Sequence, residues 1–165
     1  MKKYELTEET VIVSGKTLYR IRAVRDFGSV KAGDLGGYIE KEENLSHCGE
    51  AWVSDNAMVC GYAEVCGNAK VSGKACVCGD AEVSDTRHFF VQGPIGSRNG
   101  FVTFYRTKDD TVGVRCGCFS GSIQEFVDKV EQTHGGSRYE KEYKLAAELA
   151  KVCIRLEEEA DDLGK

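Results

Sequence analysis

A six-residue repeat between residues 51 and 86 constrains the fold of this chain more than any other feature. The segment reads AWVSDN AMVCGY AEVCGN AKVSGK ACVCGD AEVSDT, with no insertion between the six hexads. Alanine opens every hexad, valine is its third residue, and serine or cysteine follows the valine. Such a period fits neither an α-helix nor a hairpin sheet. It is typical of a β-solenoid in which each hexad forms one short strand and one corner.

Each position of the hexad has an expected place in such a solenoid. The alanine and valine side chains would point inward, while glycine or asparagine near the corners would allow tight turns. If three hexads close a triangular coil, residues eighteen apart in the chain would stack about 4.8 Å from each other. The pattern resembles the left-handed parallel β-helix of the hexapeptide-repeat family, and the resemblance implies that fold for residues 45–86.

The repeat divides the chain into three predicted regions. Residues 1–44 are predicted to form an N-terminal β cap on the solenoid, which occupies residues 45–86. Residues 87–165 are predicted to be an α+β ligand-binding domain, with a small three-stranded antiparallel meander (near 88–92, 101–106 and 112–119) and two helices. The helices are expected to begin at capping boxes, Ser122–Glu125 and Ser137–Glu140. The predicted fold class is therefore mainly β, with an α+β C-terminal domain.

Composition and charge exclude several classes of partner. The net charge of −5 argues against broad binding to DNA, RNA or anionic membranes, although a local basic pocket could still hold a small anion. No apolar run approaches the ~20 residues of a membrane helix, and the first residues lack the apolar stretch of a signal peptide. We therefore expect a cytoplasmic protein without a membrane partner.

Eight cysteines could indicate disulfides or a metal site, but the repeat explains several of them. Cys60, Cys66 and Cys78 occupy the position after valine, where other hexads have serine. In a reducing cytoplasm these would be small buried side chains. The CxxC spacing of structural zinc sites is missing from the sequence, so we expect neither a metal ion nor a cofactor.

The candidate ligand site lies in the predicted C-terminal domain. Strand alternation places aromatic residues on one sheet face with Arg115, next to a turn that carries Arg98. Aromatic rings stack on nucleobases and guanidinium groups bind phosphate oxygens, while the start of the second helix favours anions. Alternatively, the aromatic side chains form a second core face or a subunit interface. The candidate ligand-binding residues are Arg98, Asn99, Phe101, Arg115, Phe119, Ser137, Arg138 and Lys141.

Catalytic motifs are poorly represented. His47, His88 and His134 lie in different contexts, none beside a nucleophile in the sequence, and GxSxG, HExxH and P-loop motifs do not occur. No catalytic residue is predicted. Two alternatives to a binding protein stay open: a hexapeptide-repeat acyltransferase with His47 or His88 as general base, and a purely structural assembly module.

The C-terminal motifs resemble a known family. They are GPIGSRN (93–99), RCGCFSGSIQEF (115–126), THGG (133–136) and YEKEY (139–143), and they are similar to the small sheet and helix pair of phage Thoeris anti-defence sponges. Proteins of that family bind cyclic ADP-ribose isomers, and some bind cyclic oligonucleotides, without cleaving them. The resemblance implies an anti-defence sponge that opposes Thoeris or CBASS signalling in the host cytoplasm.

The same resemblance implies a homo-oligomer, a trimer or a multiple of one, with ligand sites at subunit junctions. One departure concerns the junction between the helices, where an asparagine-bearing turn is expected. This chain has Gly135-Gly136-Ser137 instead, so its ligand preference is expected to differ.

Overall fold

The computed structural model describes residues 1–156 of the chain; the last part of the third predicted region, 157–165, lies outside the described residues. The N-terminal part is a hairpin joined to a third strand. Its turn is Ser14-Gly15, where both residues have positive φ (50° and 77°), the geometry of a tight two-residue hairpin loop. The three strands are β1 (Tyr4–Val13), β2 (Lys16–Ala23) and β3 (Leu35–Ile39), followed by a short 3-10 helix (Glu42–Asn44).

Each hexad of the repeat contributes one strand of two residues. Parallel pairs join strands eighteen residues apart, as in Trp52 with Lys70 and Glu64 with Glu82. The opening alanines and the valines are all buried, because they face the interior between these pairs. The strands are β4 (Trp52–Val53), β5 (Met58–Val59), β6 (Glu64–Val65), β7 (Lys70–Val71), β8 (Cys76–Val77) and β9 (Glu82–Val83).

The predicted fold class is nevertheless wrong. The described residues form a mostly β structure with several small separate sheets and two helices, and they contain no long parallel β-helix. The hexad strands are divided between two parallel two-stranded sheets and a mixed five-stranded sheet, in the order β1-β2-β3-β5-β8. Each ladder is short because six hexads provide only two layers, and because a turn with positive φ, as at Gly61 and Gly79, interrupts the strand in most hexads.

The segment that precedes the regular hexads has a longer spacing. Tyr38 pairs with Met58 and Leu45 with Val65, so these partners are twenty residues apart rather than eighteen. Gly49 already lies against Gly67 at the regular spacing. The two additional residues therefore fall within the segment 46–48, which contains His47.

The C-terminal sheet has four antiparallel strands, not the predicted three. The segment predicted as one strand over 112–119 is broken by a turn at Gly117 (φ +57°), after which the chain returns as a fourth strand. A short 3-10 helix (Thr86–His88) precedes the sheet. The elements are β10 (Phe89–Ile95), β11 (Gly100–Arg106), β12 (Val112–Cys116), β13 (Phe119–Ser122), α1 (Ile123–His134) and α2 (Arg138–Cys153).

The C-terminal sheet lies between two hydrophobic cores. One face carries Phe104 and Val114, which pack with Phe126 and the buried alanines of α2. On the other face, Tyr105 joins the core of the repeat and the N-terminal hairpin. The backbone N–H of Cys76 also donates to Thr103 Oγ1 at 2.9 Å. The sheet is thus docked on the last hexads. No helix of the described residues has the length and apolarity needed to cross a membrane.

Candidate functional site

The eight predicted ligand-binding residues do not come together in one site. Arg115 and Phe119, which were predicted to share a face, lie on opposite faces of the sheet. Arg115 pairs with Ser120 and Cys116 with Phe119 across the turn at Gly117, and this reversal moves Phe119 to the helix side. There its ring packs 5.7 Å from Phe126. Phe119 is therefore partly buried against the core of the helix side.

Five of the predicted residues lie around the start of α2, near the turn between β10 and β11. Arg98, Asn99 and Lys141 are exposed there. Arg138, whose side chain is 81% exposed, forms an ion pair with Glu142 at 3.5 Å. The Ser137 hydroxyl donates to the carbonyl of His134 at 2.6 Å rather than capping the helix.

The predicted anion site at this helix end is already filled by side chains of the same chain. The Gly136 N–H donates to Glu140 Oε2 at 2.7 Å, and the Gly96 N–H donates to Glu142 Oε2 at 2.7 Å. The hydrogen bond from Gly136 lowers the pKa of Glu140, with a smaller contribution from Lys144. A free anion would have to compete with these carboxylates for the positive end of the helix.

Arg115 lies in a different place, a cleft where the three parts of the molecule meet. Its guanidinium donates to Ser14 Oγ at 2.5 Å, which links the C-terminal sheet to the turn of the N-terminal hairpin. By strand alternation, Phe101 shares this face with Arg115, but its ring lies over Gly93 at the sheet edge. The cleft, called the junction cleft below, has a volume of about 270 Å³ and is lined by Val13, Ser14, Lys16, Cys60, Gly61, Tyr62, Cys78, Gly79, Arg115 and Ser120.

Positive charge dominates the rim of the junction cleft. No carboxylate of the described residues forms an ion pair with Arg115. Lys16 pairs with Glu40 at 3.2 Å, and the same carboxylate accepts the Gly61 N–H at 2.6 Å. That backbone hydrogen bond lowers the pKa of Glu40, so the carboxylate stays charged and offsets only one of the cations. An anion at this rim would meet a guanidinium that has no other charged partner.

Tyr62 supplies an aromatic surface beside these cations. Its ring is 71% exposed, and the ammonium group of Lys41 lies 5.1 Å from the ring centroid. Sequence reasoning missed both Tyr62 and Lys16. The available signal was the sixth hexad position, where Tyr62 is the one aromatic residue among asparagine, lysine, aspartate and threonine.

Thiols and hydroxyls form the floor of the cleft. Cys60 and Cys78 are buried, with 6% and 4% exposure. The hydroxyl groups of Tyr105 and Ser120 lie 3.7 and 3.8 Å from Cys78 Sγ. Burial raises the pKa of Tyr105, so this hydroxyl stays protonated and can donate to the sulfur. No group of histidine, cysteine, aspartate and glutamate side chains within the described residues is arranged to hold a metal ion.

Comparison with known proteins assigns no family to this arrangement. No family model and no curated protein matches the chain. The functional interpretation therefore depends on the cleft itself and on the sequence motifs.

Proposed function

We propose that the protein binds a small cyclic nucleotide in the junction cleft and sequesters it without chemical conversion. The observation that carries this proposal is the Arg115 guanidinium, which lines the cleft without a carboxylate partner in the described residues. Guanidinium groups bind phosphate oxygens through two parallel hydrogen bonds and retain their charge at any physiological pH. Lys16 adds a second cation within the same lining.

The exposed ring of Tyr62 supports a nucleotide over inorganic phosphate. A base stacked on an aromatic ring gains about 1–3 kcal/mol, and the nearby Lys41 makes the same surface favourable for a negatively charged ligand. The combination of one ring and several cations matches a ligand that contains both a base and a phosphate.

The size of the cleft limits how much of the ligand one protein chain can enclose. Its volume of about 270 Å³ lies just below the range of roughly 300–1,000 Å³ typical of small-molecule sites. A second cavity of about 230 Å³ shares Gly79 and Ser120 with the cleft, but its lining includes Asp80 and Asp109 and does not favour a phosphate. A second copy of the chain that covers the cleft would enclose the remainder, in keeping with the oligomer that the family resemblance implies.

The environment of the histidines favours binding over acyl transfer. None of them lines the junction cleft. His47 stacks on Tyr4 at 4.3 Å and accepts the Lys3 N–H at its Nδ1 atom, while His88 Nδ1 lies 3.2 Å from the backbone nitrogen of Ser84. Sequestration requires no general base. The proposed function therefore does not need a histidine in the cleft.

The proposal is tested by ligand release after heating. The purified protein is incubated with cyclic ADP-ribose isomers and with cyclic di- and trinucleotides, freed of unbound ligand and denatured, and the supernatant is analysed by mass spectrometry. We expect an intact nucleotide in stoichiometric amount. A cleaved product would identify an enzyme instead.

Substitutions then distinguish the junction cleft from the start of α2 as the binding site. Arg115→Ala removes a charge-assisted contact worth about 1.5–3 kcal/mol and should weaken binding by roughly 10–150-fold, with a smaller loss for Tyr62→Ala. Arg98→Ala and Arg138→Ala are matched controls at the start of α2 and should bind normally. Loss of binding in the controls with normal binding by Arg115→Ala would move the site to the helix end and refute the junction cleft.

A further inference from the structure

Two thiols on the floor of the junction cleft have the geometry of a disulfide pair. Val59 pairs with Val77 in neighbouring parallel strands, and the Cys60 N–H donates to the carbonyl of Val77 at 3.0 Å. Cys60 and Cys78 therefore follow paired residues on strands that lie about 4.8 Å apart. This spacing falls within the Cα separation of roughly 4.4–6.8 Å found in disulfides.

Both cysteines lie at the boundary between the core of the repeat and the junction cleft. The valines before them point into the interior, so the following residues point outward by alternation, and both cysteines line the cleft. A small solute can reach them there, although each side chain is less than a tenth exposed.

The environment of Cys78 favours the thiolate, which is the nucleophilic form of cysteine. Hydrogen bonds from Cys60 and then Cys76 lower the pKa of the Cys78 thiol, outweighing the opposite effect of burial. The hydroxyls of Tyr105 and Ser120 lie within 3.8 Å of the same sulfur. Arg115 lines the same cleft and adds positive charge nearby.

We propose that Cys60 and Cys78 form an oxidation-sensitive thiol pair that closes to a disulfide when a peroxide enters the junction cleft. The Cys78 thiolate attacks one peroxide oxygen, the O–O bond breaks, and a sulfenic acid and hydroxide form. The hydroxide takes the proton of the Cys60 thiol. The resulting Cys60 thiolate attacks the sulfenic sulfur, the S–S bond forms, and the sulfenic oxygen leaves as hydroxide. This hydroxide takes up from solvent the proton that Cys78 lost on ionising and becomes the second water. Two thiols are oxidised and one hydrogen peroxide is reduced to two waters.

Cys60 and Cys78 also have the Cys76 thiol within hydrogen-bond reach, whereas Cys66 has no thiol in the neighbouring register. Cys66 follows Val65, which pairs with Val83 on one side and bridges to Leu45 on the other. The residues after those partners are serines, Ser84 and Ser46. A sulfenic acid formed at Cys66 therefore has a hydroxyl rather than a thiol in the neighbouring register.

The proposal depends on the thiol geometry and not on the nucleotide. Disulfide formation is measured on protein without ligand, whereas nucleotide binding is measured on reduced protein, so either can fail without the other. Serine variants are suitable because serine already occupies the same hexad position at Ser54, Ser72 and Ser84.

The test treats the reduced full-length protein with a few equivalents of hydrogen peroxide, blocks remaining thiols and maps disulfide-linked peptides. We expect a mass decrease of about 2 Da before blocking and a Cys60–Cys78 link. The link should fall at least tenfold in Cys60→Ser and in Cys78→Ser, and it should persist in Cys76→Ser and Cys66→Ser. Oxidation confined to the exposed Cys48 and Cys118 would overturn the proposal, as would a wild-type link that involves Cys76.

Discussion

Lys3 is a buried ammonium group that should make the stability of the protein depend on pH in the alkaline range. Its side chain has no exposed surface, and Nζ donates to the carbonyl of Ala51 at 2.7 Å and lies 5.1 Å from the ring centroid of Phe27. Burial, followed by the nearby charges of Lys70 and Arg25, lowers its pKa from 10.5 to about 8.

The sign and size of the effect follow from proton binding. Below about pH 8 the lysine is protonated in both the folded and the unfolded state, so its contribution is constant. Between about pH 8 and 10.5 the unfolded state binds more protons, and the free energy of unfolding therefore rises with pH. The difference between the two pKa values corresponds to about 3 kcal/mol. Neutral Lys3 is thus tolerated in the folded protein better than charged Lys3 by this amount.

Lys3→Met removes the titrating group while keeping a long apolar side chain. We expect wild-type protein to gain about 3 kcal/mol of unfolding free energy relative to Lys3→Met between about pH 7 and pH 10.5. Urea denaturation measures this gain through the fluorescence of Trp52, which is 5% exposed and packs edge-on against Phe27. Burial also raises the pKa of Tyr4, which lowers the free energy of unfolding as pH rises. This effect is present in both proteins and cancels when the unfolding free energy of Lys3→Met is subtracted from that of the wild type.

The matched control is Lys2→Met, the same substitution at a side chain that is 66% exposed. Its stability should follow the wild-type profile across the whole pH range. Parallel profiles for wild type and Lys3→Met would refute the reasoning, because they would mean that Lys3 binds its proton equally well in the folded and unfolded states.

Three further substitutions test packing and buried charge. A Cβ on Gly96 would lie 1.8 Å from the Tyr143 hydroxyl oxygen, whereas one on Gly73 meets no atom within 4 Å, and both glycines have positive φ. Gly73→Ala should lower the free energy of unfolding by about 1–2 kcal/mol, as measured by thermal or urea denaturation. Gly96→Ala should lower it by at least about 1 kcal/mol more. Equal losses of stability would contradict the close approach of Tyr143 to Gly96. Asp110→Asn should lower the free energy of unfolding by about 1–3 kcal/mol, because the side chain of Arg106 is 3% exposed and its Nε lies 2.8 Å from Asp110 Oδ1. An unchanged midpoint of urea denaturation would contradict this expectation.

The local features of the repeat could be predicted from the sequence, but the sheets could not. The six-residue period predicts that alanine and valine are buried and that strands eighteen residues apart pair. Both features follow because residues at the same hexad position occupy equivalent places along the repeat. The division into separate sheets depends instead on distant partners. Tyr38, from before the repeat, pairs with Met58 and brings the N-terminal hairpin into the sheet of β5 and β8, which no pattern within the hexads indicates.

The two predicted capping boxes show how local signals succeed and fail. Both reciprocal hydrogen bonds form between Ser122 and Glu125, and α1 follows them. Ser137 precedes α2 at the N-cap position without capping the helix, since its hydroxyl donates to the carbonyl of His134 and Glu140 accepts from Gly136. The helix start was predictable in both cases. The partners of Ser137 were not, because the loop between the helices lets a preceding carbonyl reach the hydroxyl.

The candidate site was the least predictable part because its residues are distant in sequence. The hydrogen bond between Ser14 and Arg115 joins positions 101 residues apart. The sequence motifs led to the expectation that binding involves residues 87–165 alone, whereas the proposed junction cleft also requires the hairpin turn and a corner of the repeat. These two interpretations differ at particular side chains. Only the cleft predicts that Lys16 and Tyr62, outside the C-terminal region, contribute to the affinity together with Arg115.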